Sequence, residues 1–161
     1  MEKLIEESAK FYFNEAVKEA KKATCLRAKC GAIIINSKGK IIGRGFNSPP
    51  KNLESQRRCL IKKKTFNIKI TDKTCCIHAE QRAIFNALEK YKKRELSNSI
   101  LFFARVNEKG KPIPSGELYC TICSKSALDI GIAKWVLQKK EGLFIYNSEE
   151  YNNISFNYGK N

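Results

Sequence analysis

Two short motifs hold most of the chemistry this sequence could perform: His78-Ala79-Glu80 and, well downstream, Cys120-Thr121-Ile122-Cys123. Two cysteines three positions apart fall on one side of a first helical turn. A helix N-terminus also favours thiolate over thiol, through its free N–H groups and its dipole. His78, the sole histidine of the chain, adds a neutral nitrogen. Three such ligands suit zinc and leave a fourth tetrahedral position for water, the mark of a catalytic rather than a structural site. Two thiolates cancel the charge of Zn²⁺, so the metal alone acidifies its water weakly and a nearby carboxylate must accept the proton. Glu80 does not share a helix face with His78, and it reads as that base rather than as a co-ligand. The competing arrangement is a closed zinc site, with Cys75 or Cys76 as fourth ligand.

Both motifs need helix starts, and the flanking pattern predicts them. Residues 77–91 line Ala79, Ala83, Ile84, Ala87, Leu88 and Tyr91 along one helical face. A second helix is expected over about 120–130, stopped by Gly131, a favoured C-terminal residue. Residues 4–23, from Leu4 and Ile5 to Ala20 and Ala23, read as an amphipathic surface helix. Residues 31–35 and 40–46 are strands joined by Asn36-Ser37-Lys38-Gly39, hence an antiparallel hairpin, which Asn47-Ser48-Pro49-Pro50 ends. Residues 100–106 are apolar almost throughout and belong at the centre of a sheet. Residues 107–117 form a loop. Strands at 134–138 and 143–146 are too close for a parallel crossover and must form a second hairpin. The basic segment 51–75 reads as a partly helical insertion, and the tail from Ser148 as one helical turn that frays. The sum is a single domain over 1–161 of the α/β class, a three-layer α/β/α sandwich around a mixed five-stranded sheet.

The composition bounds the function. A hydrophobic content of 42% over 161 residues argues against a disordered chain. No apolar run is long enough to span a membrane, and the first residues lack the order of a secretory signal, so a cytoplasmic location is expected. Seven cysteines, an odd number, point to reduced thiols and metal ligands rather than a disulfide framework. Cys25 and Cys30 read as small buried hydrophobes. Cys59, Cys75 and Cys76 could bind a second metal, with no second histidine to help. The net charge of +15, from 31 Lys and Arg against 16 Asp and Glu, attracts nucleotides, nucleic acid or acidic lipid, although the spread of lysines along the chain equally fits a compositional bias. Arg57, Arg58, Lys62, Lys63 and Lys64 are either a solvated face or contacts to a phosphate or an RNA backbone.

His-x-Glu combined with Cys-x-x-Cys is the signature of zinc deaminases. Thr24-Cys25-Leu26-Arg27, Gly31-Ala32-Ile33-Ile34, Gly45-Phe46-Asn47-Ser48-Pro49-Pro50 and His78-Ala79-Glu80-Gln81-Arg82-Ala83-Ile84 extend the likeness. Over roughly residues 24–50 and 76–138 the chain resembles the cytidine/deoxycytidylate deaminases, and most of all the deoxycytidylate (dCMP) type. The resemblance implies hydrolysis of a cytosine nucleotide, dCMP or CMP, to the uracil nucleotide with release of ammonia. It implies Zn²⁺ on His78, Cys120 and Cys123, proton transfer by Glu80, substrate contacts from Asn47, Ala79 and Arg27, and a homo-oligomer. Three departures bear on the substrate and not on the zinc: Tyr119 stands where the family usually has proline, the 107–117 loop is long, and the closing strands form a hairpin. A nucleoside deaminase and a deaminase of RNA or single-stranded DNA are the enzymatic alternatives. The other is a zinc-containing nucleic-acid-binding or scaffold module, against which an intact Glu80 argues.

Overall fold

The computed structural model of the chain describes residues 1–4 and 7–160. Its layering follows from the alternation of side chains along the central strands. β2 (Lys29–Ile35) and β3 (Ile41–Phe46) form the expected hairpin, and β2 pairs on its other edge with β4 (Ser99–Val106). Ile33 and Ile35 of β2 pack against α1 (Glu7–Ala20), with Phe13, Ala16, Val17 and Phe102. Ala32 and Ile34 enter a second core with residues of α2 (Ala79–Leu88), α3 (Thr121–Asp129) and α4 (Ser148–Phe156). Helices therefore cover both faces of the sheet, as a three-layer sandwich requires.

β4 runs parallel to β6 (Ile132–Lys139), and β6 returns antiparallel as β7 (Gly142–Asn147). The connection from β4 to β6 contains α3 and is long enough for a parallel crossover. Gly131, at φ 94°, follows the end of α3 in the left-handed conformation that only glycine adopts readily. All five expected strands are present, and two short ones extend the mixed sheet. β1 (Glu2–Leu4) pairs with β7, and β5 (Pro112–Ile113) pairs with β4 from within the 107–117 loop. The order is β1-β7-β6-β4-β2-β3.

The ends of the chain depart from the sequence pattern. Leu4, expected in the first helix, pairs with Leu143 in β1, while Ile5 lies outside the described residues. The open edge of β7 offers backbone partners that helical periodicity does not register. Residues 148–156 form a full helix rather than a single turn. Asn147 caps it, its Oδ1 accepting from Glu149 N at 2.9 Å, and Glu149 and Glu150 suit the positive end of the helix dipole. Buried Tyr151 anchors the helix by stacking on Trp135, with 4.2 Å between ring centroids.

In place of the helical part expected, the insertion region carries only single 3₁₀ turns, at Pro50–Asn52, Glu54–Gln56 and Lys63–Thr65. Arginines hold it down. Arg27 donates to the carbonyls of Cys59 and Ile61, and Arg57 donates to the Thr24 carbonyl at 2.8 Å. No described helix is long and apolar enough to cross a membrane.

Candidate active site

Glycines bring α2 onto the sheet. A Cβ on Gly45 would run into the Ala79 carbonyl, and one on Gly43 into the Ala83 carbonyl. The turn after β3 holds the start of α2 from the other side: Ile77 N donates to Ser48 O at 2.9 Å, and Arg82 Nη2 to Pro49 O at 3.2 Å. His78 is the N-cap of α2, its N–H donating to Gln81 Oε1 at 3.1 Å. Cys120 is the N-cap of α3, and Cys123 sits in that helix's first turn. The two helix starts meet. His78 Nδ1 is 3.2 Å from Cys120 Sγ and 3.2 Å from Cys123 Sγ, and the three donor atoms lie within 4.8 Å of one another.

With Nδ1 facing the thiols, a neutral imidazole that offers Nδ1 to a metal keeps its proton on Nε2, and Nε2 lies 3.0 Å from Thr74 Oγ1, to which it donates. The Thr74 hydroxyl in turn donates to Asp72 Oδ1. Such an outer partner fixes the ring and raises the basicity of the inner nitrogen. One imidazole and two thiols are donors that zinc prefers. Among the described residues no fourth histidine, cysteine or carboxylate joins the group. Cys75 and Cys76, the candidates for closing it, instead approach Cys59, with Sγ–Sγ separations of 3.4 and 3.7 Å.

Protonation follows from the contacts. Cys120 is held down at about 4, chiefly by the hydrogen bond from Cys123, with burial opposing and His78 assisting. Cys123 is pushed well up by that same bond and by burial. A divalent cation displaces the remaining thiol proton as it binds. Burial disfavours the His78 imidazolium, but the hydrogen bond to Cys120 and the charge of Glu80 outweigh it and lift the ring to about 9. Glu80 is 7% exposed, and burial raises it to about 7 against the pull of His78. A carboxyl poised near neutrality can both take and give a proton.

The site opens on a cavity of about 320 Å³, the size of a small-molecule pocket. His78, Glu80 and Cys120 line it together with Ala79, Asn47 and Arg27. Asn47 is buried. Its Nδ2 donates to Ala28 O at 2.8 Å and its Oδ1 accepts from Cys30 N at 2.9 Å, which leaves one N–H and one lone pair. Arg27 lines the cavity while its guanidinium grips the insertion backbone. Arg57 is not among the lining residues; it pairs with Glu54 at 2.7 Å and donates to Thr24 O.

Other wall residues were not foreseen from the sequence. Thr74 stands behind His78, with Asp72 beyond it outside the wall, Lys73 joins Arg58 and Lys63 as a cation, and Leu118 and Tyr151 add apolar surface. Only Thr74 carried a cue, as a hydroxyl within reach of the sole histidine.

No curated protein sequence matches the chain significantly. Among solved structures, the dCMP deaminase of cyanophage S-TIM5 in complex with dCMP and dUMP matches with a TM-score of 0.58 at 23% identity, over 82% of this chain and 81% of that one. A cytidine deaminase from Burkholderia pseudomallei matches with a TM-score of 0.59 at 17% identity, over 88% and 94%. At these identities the likeness shows the fold. The sequence profile described as "Cytidine and deoxycytidylate deaminase zinc-binding region" matches residues 6–139, most of the chain. The chain thus belongs to the cytidine and deoxycytidylate deaminase family, whose members are zinc-dependent hydrolytic deaminases.

Proposed function

We propose that this deaminase acts on a cytosine nucleoside monophosphate, of the dCMP or CMP type, and releases ammonia and the uracil nucleotide. The observation that carries the reading is the shared cavity: His78, Glu80 and Cys120 line the same space as Arg58, Lys63 and Lys73 of the insertion. A phosphate dianion gains charge-assisted hydrogen bonds from such cations, and a nucleoside does not. The net charge of +15 draws anions towards it.

In this reading His78, Cys120 and Cys123 would hold zinc, which would supply an acidified water. Both protons of that water pass through Glu80. The first goes to ring N3 as C4 is attacked. The second goes to the departing amine, so that ammonia leaves and C4 keeps the oxygen as a carbonyl. The burial that raises Glu80 to about 7 equips it for both directions. The Ala79 N–H lies in the first turn of α2, where N–H groups lack partners within the helix, and it holds the ring carbonyl. Asn47 uses its remaining N–H and lone pair on the sugar, and Arg27 supports the phosphate end.

The test is kcat/KM for dCMP, CMP, deoxycytidine and cytidine at low and high salt. The monophosphates should lead by about tenfold or more, the worth of one charge-assisted hydrogen bond, and the lead should shrink as salt rises. Nucleosides ahead at both salts would overturn the phosphate assignment. Turnover of a cytosine-containing oligonucleotide alone would assign the cations to nucleic acid.

A further inference from the structure

Four more thiols meet at a second place on the same cavity. Cys25, Cys59 and Cys76 are buried, with sulfurs that all lie within 4.8 Å of one another. Cys75 joins them from the more exposed side, its Sγ 3.4 Å from that of Cys59 and 3.8 Å from that of Cys76. Cys59 and Cys76 are 3.7 Å apart. The four come from three stretches of chain: Cys25 from the loop after α1, Cys59 from the middle of the insertion, and Cys75 and Cys76 from the approach to α2. They form an apolar cluster of their own, outside the two cores that fill the sandwich.

Three observations separate this cluster from chance burial of small hydrophobes. First, the sulfurs pack on one another rather than on hydrocarbon. Second, the three sulfur–sulfur distances among Cys59, Cys75 and Cys76, at 3.4, 3.7 and 3.8 Å, match a known geometry, and the Cys25 sulfur lies within 4.8 Å of those of Cys59 and Cys76. A disulfide needs about 2.05 Å between sulfurs, whereas a tetrahedral zinc with bonds of about 2.3 Å sets its sulfurs about 3.8 Å apart. Third, a cation faces the cluster: Arg57 Nη1 lies 3.6 Å from Cys59 Sγ. Four thiolates around a divalent ion leave a net negative charge, which a guanidinium N–H to sulfur offsets. The surrounding chain also lacks a scaffold of its own, because the insertion region has only 3₁₀ turns.

We propose that Cys25, Cys59, Cys75 and Cys76 bind a second zinc ion, structural in role, that pins the insertion against the loop after α1. Each thiol gives up its proton to solvent on binding, and the four sulfurs close the coordination sphere, leaving no position for water. The ion then fixes the segment that presents Arg58, Lys63 and Lys73 to the cavity. The proposal is independent of which substrate the enzyme takes.

Metal analysis of the full chain purified under reducing conditions tests it. The expected content is about two zinc ions per chain. Cys59→Ser should retain about one, and trypsin should then cut around Lys62, Lys63 and Lys64 at least about tenfold faster than in the parent. Cys123→Ala should also retain about one, without the gain in cleavage. A parent that holds one zinc, which Cys59→Ser keeps, overturns the proposal. Should Cys59→Ser fail to fold, zinc-edge X-ray absorption on the parent still decides. A four-sulfur and a two-sulfur site together average about three sulfur neighbours per zinc, against about two for the active site alone.

Discussion

His78, Cys120 and Cys123 sit at the starts of two helices packed on the sheet, whereas Cys25, Cys59, Cys75 and Cys76 come from a loop and an insertion whose regular structure stops at 3₁₀ turns. The first group offers three donors, with buried Glu80 lining the same cavity; the second offers four donors, with an arginine beside them. The contrast teaches what each cluster can do. Three donors on rigid elements leave room for a reactant, and the carboxyl gives its protons somewhere to go. Four donors fill a coordination sphere, so a metal there can only organise the chain around it. In the first case the fold positions the ligands; in the proposed second site the metal would position the fold.

The largest effect should come from the acid that only one cluster has. Glu80→Gln keeps the size of the side chain and removes the proposed proton carrier. Steady-state rates should fall by about 10²- to 10⁴-fold or more, because this group serves two transfers. Metal content should stay at the parent level, since Glu80 lies outside both donor sets. A variant that retains a third of the parent rate would remove Glu80 from the mechanism and, with it, the functional side of the contrast.

A smaller effect should distinguish the two metals. Thr74 accepts from the outer nitrogen of His78 and passes the contact on to Asp72. Thr74→Val leaves that N–H without its acceptor while keeping the side-chain shape. Losing an outer partner of this kind lowers metal affinity by about 10- to 100-fold. Chelator competition should show that loss at the histidine-containing cluster alone, because the four-thiol cluster has no imidazole to orient. Equal weakening of both metals would show that the clusters act as one unit.

How much of this the sequence revealed depends on the reach of each interaction. The His78, Cys120 and Cys123 group was legible because each half is a short motif at a helix start, where spacing alone sets geometry. The five strands and three of the helices were legible through their periodicities. The full length of α4 was not, because its anchors are contacts with distant elements: Tyr151 stacks on Trp135, and Asn152 Oδ1 accepts from Ser124 Oγ at 2.9 Å. β1 was hidden because its partner, β7, lies at the far end of the chain. Cys25 read as an isolated small hydrophobe like Cys30. Its approach to Cys59 and Cys76 depends on how an aperiodic insertion folds back, which no local pattern encodes. Arg57 read as part of a solvated face or as a phosphate contact for the same reason: its charge was visible, but its direction was not.

That direction gives the last and mildest prediction. Arg57 makes three contacts: an ion pair with exposed Glu54, a hydrogen bond to the Thr24 carbonyl, and the approach of Nη1 to Cys59 Sγ. The ion pair with so exposed a partner contributes little, and water can replace the guanidinium at a part-buried carbonyl. The contact to sulfur has no such substitute once the thiols are ionised around a cation, because their excess negative charge then lacks a counter-charge. Arg57→Ala should therefore lower zinc affinity at the four-thiol cluster by about tenfold, the low end for an outer partner. Arg57→Lys, which keeps the charge but not the planar fork, should fall between it and the parent. The histidine-containing cluster should show no change in the same chelator titration. If Arg57→Ala binds the second zinc as tightly as the parent, the guanidinium serves only to prop the Thr24 carbonyl, and the charge-compensation half of the contrast is lost.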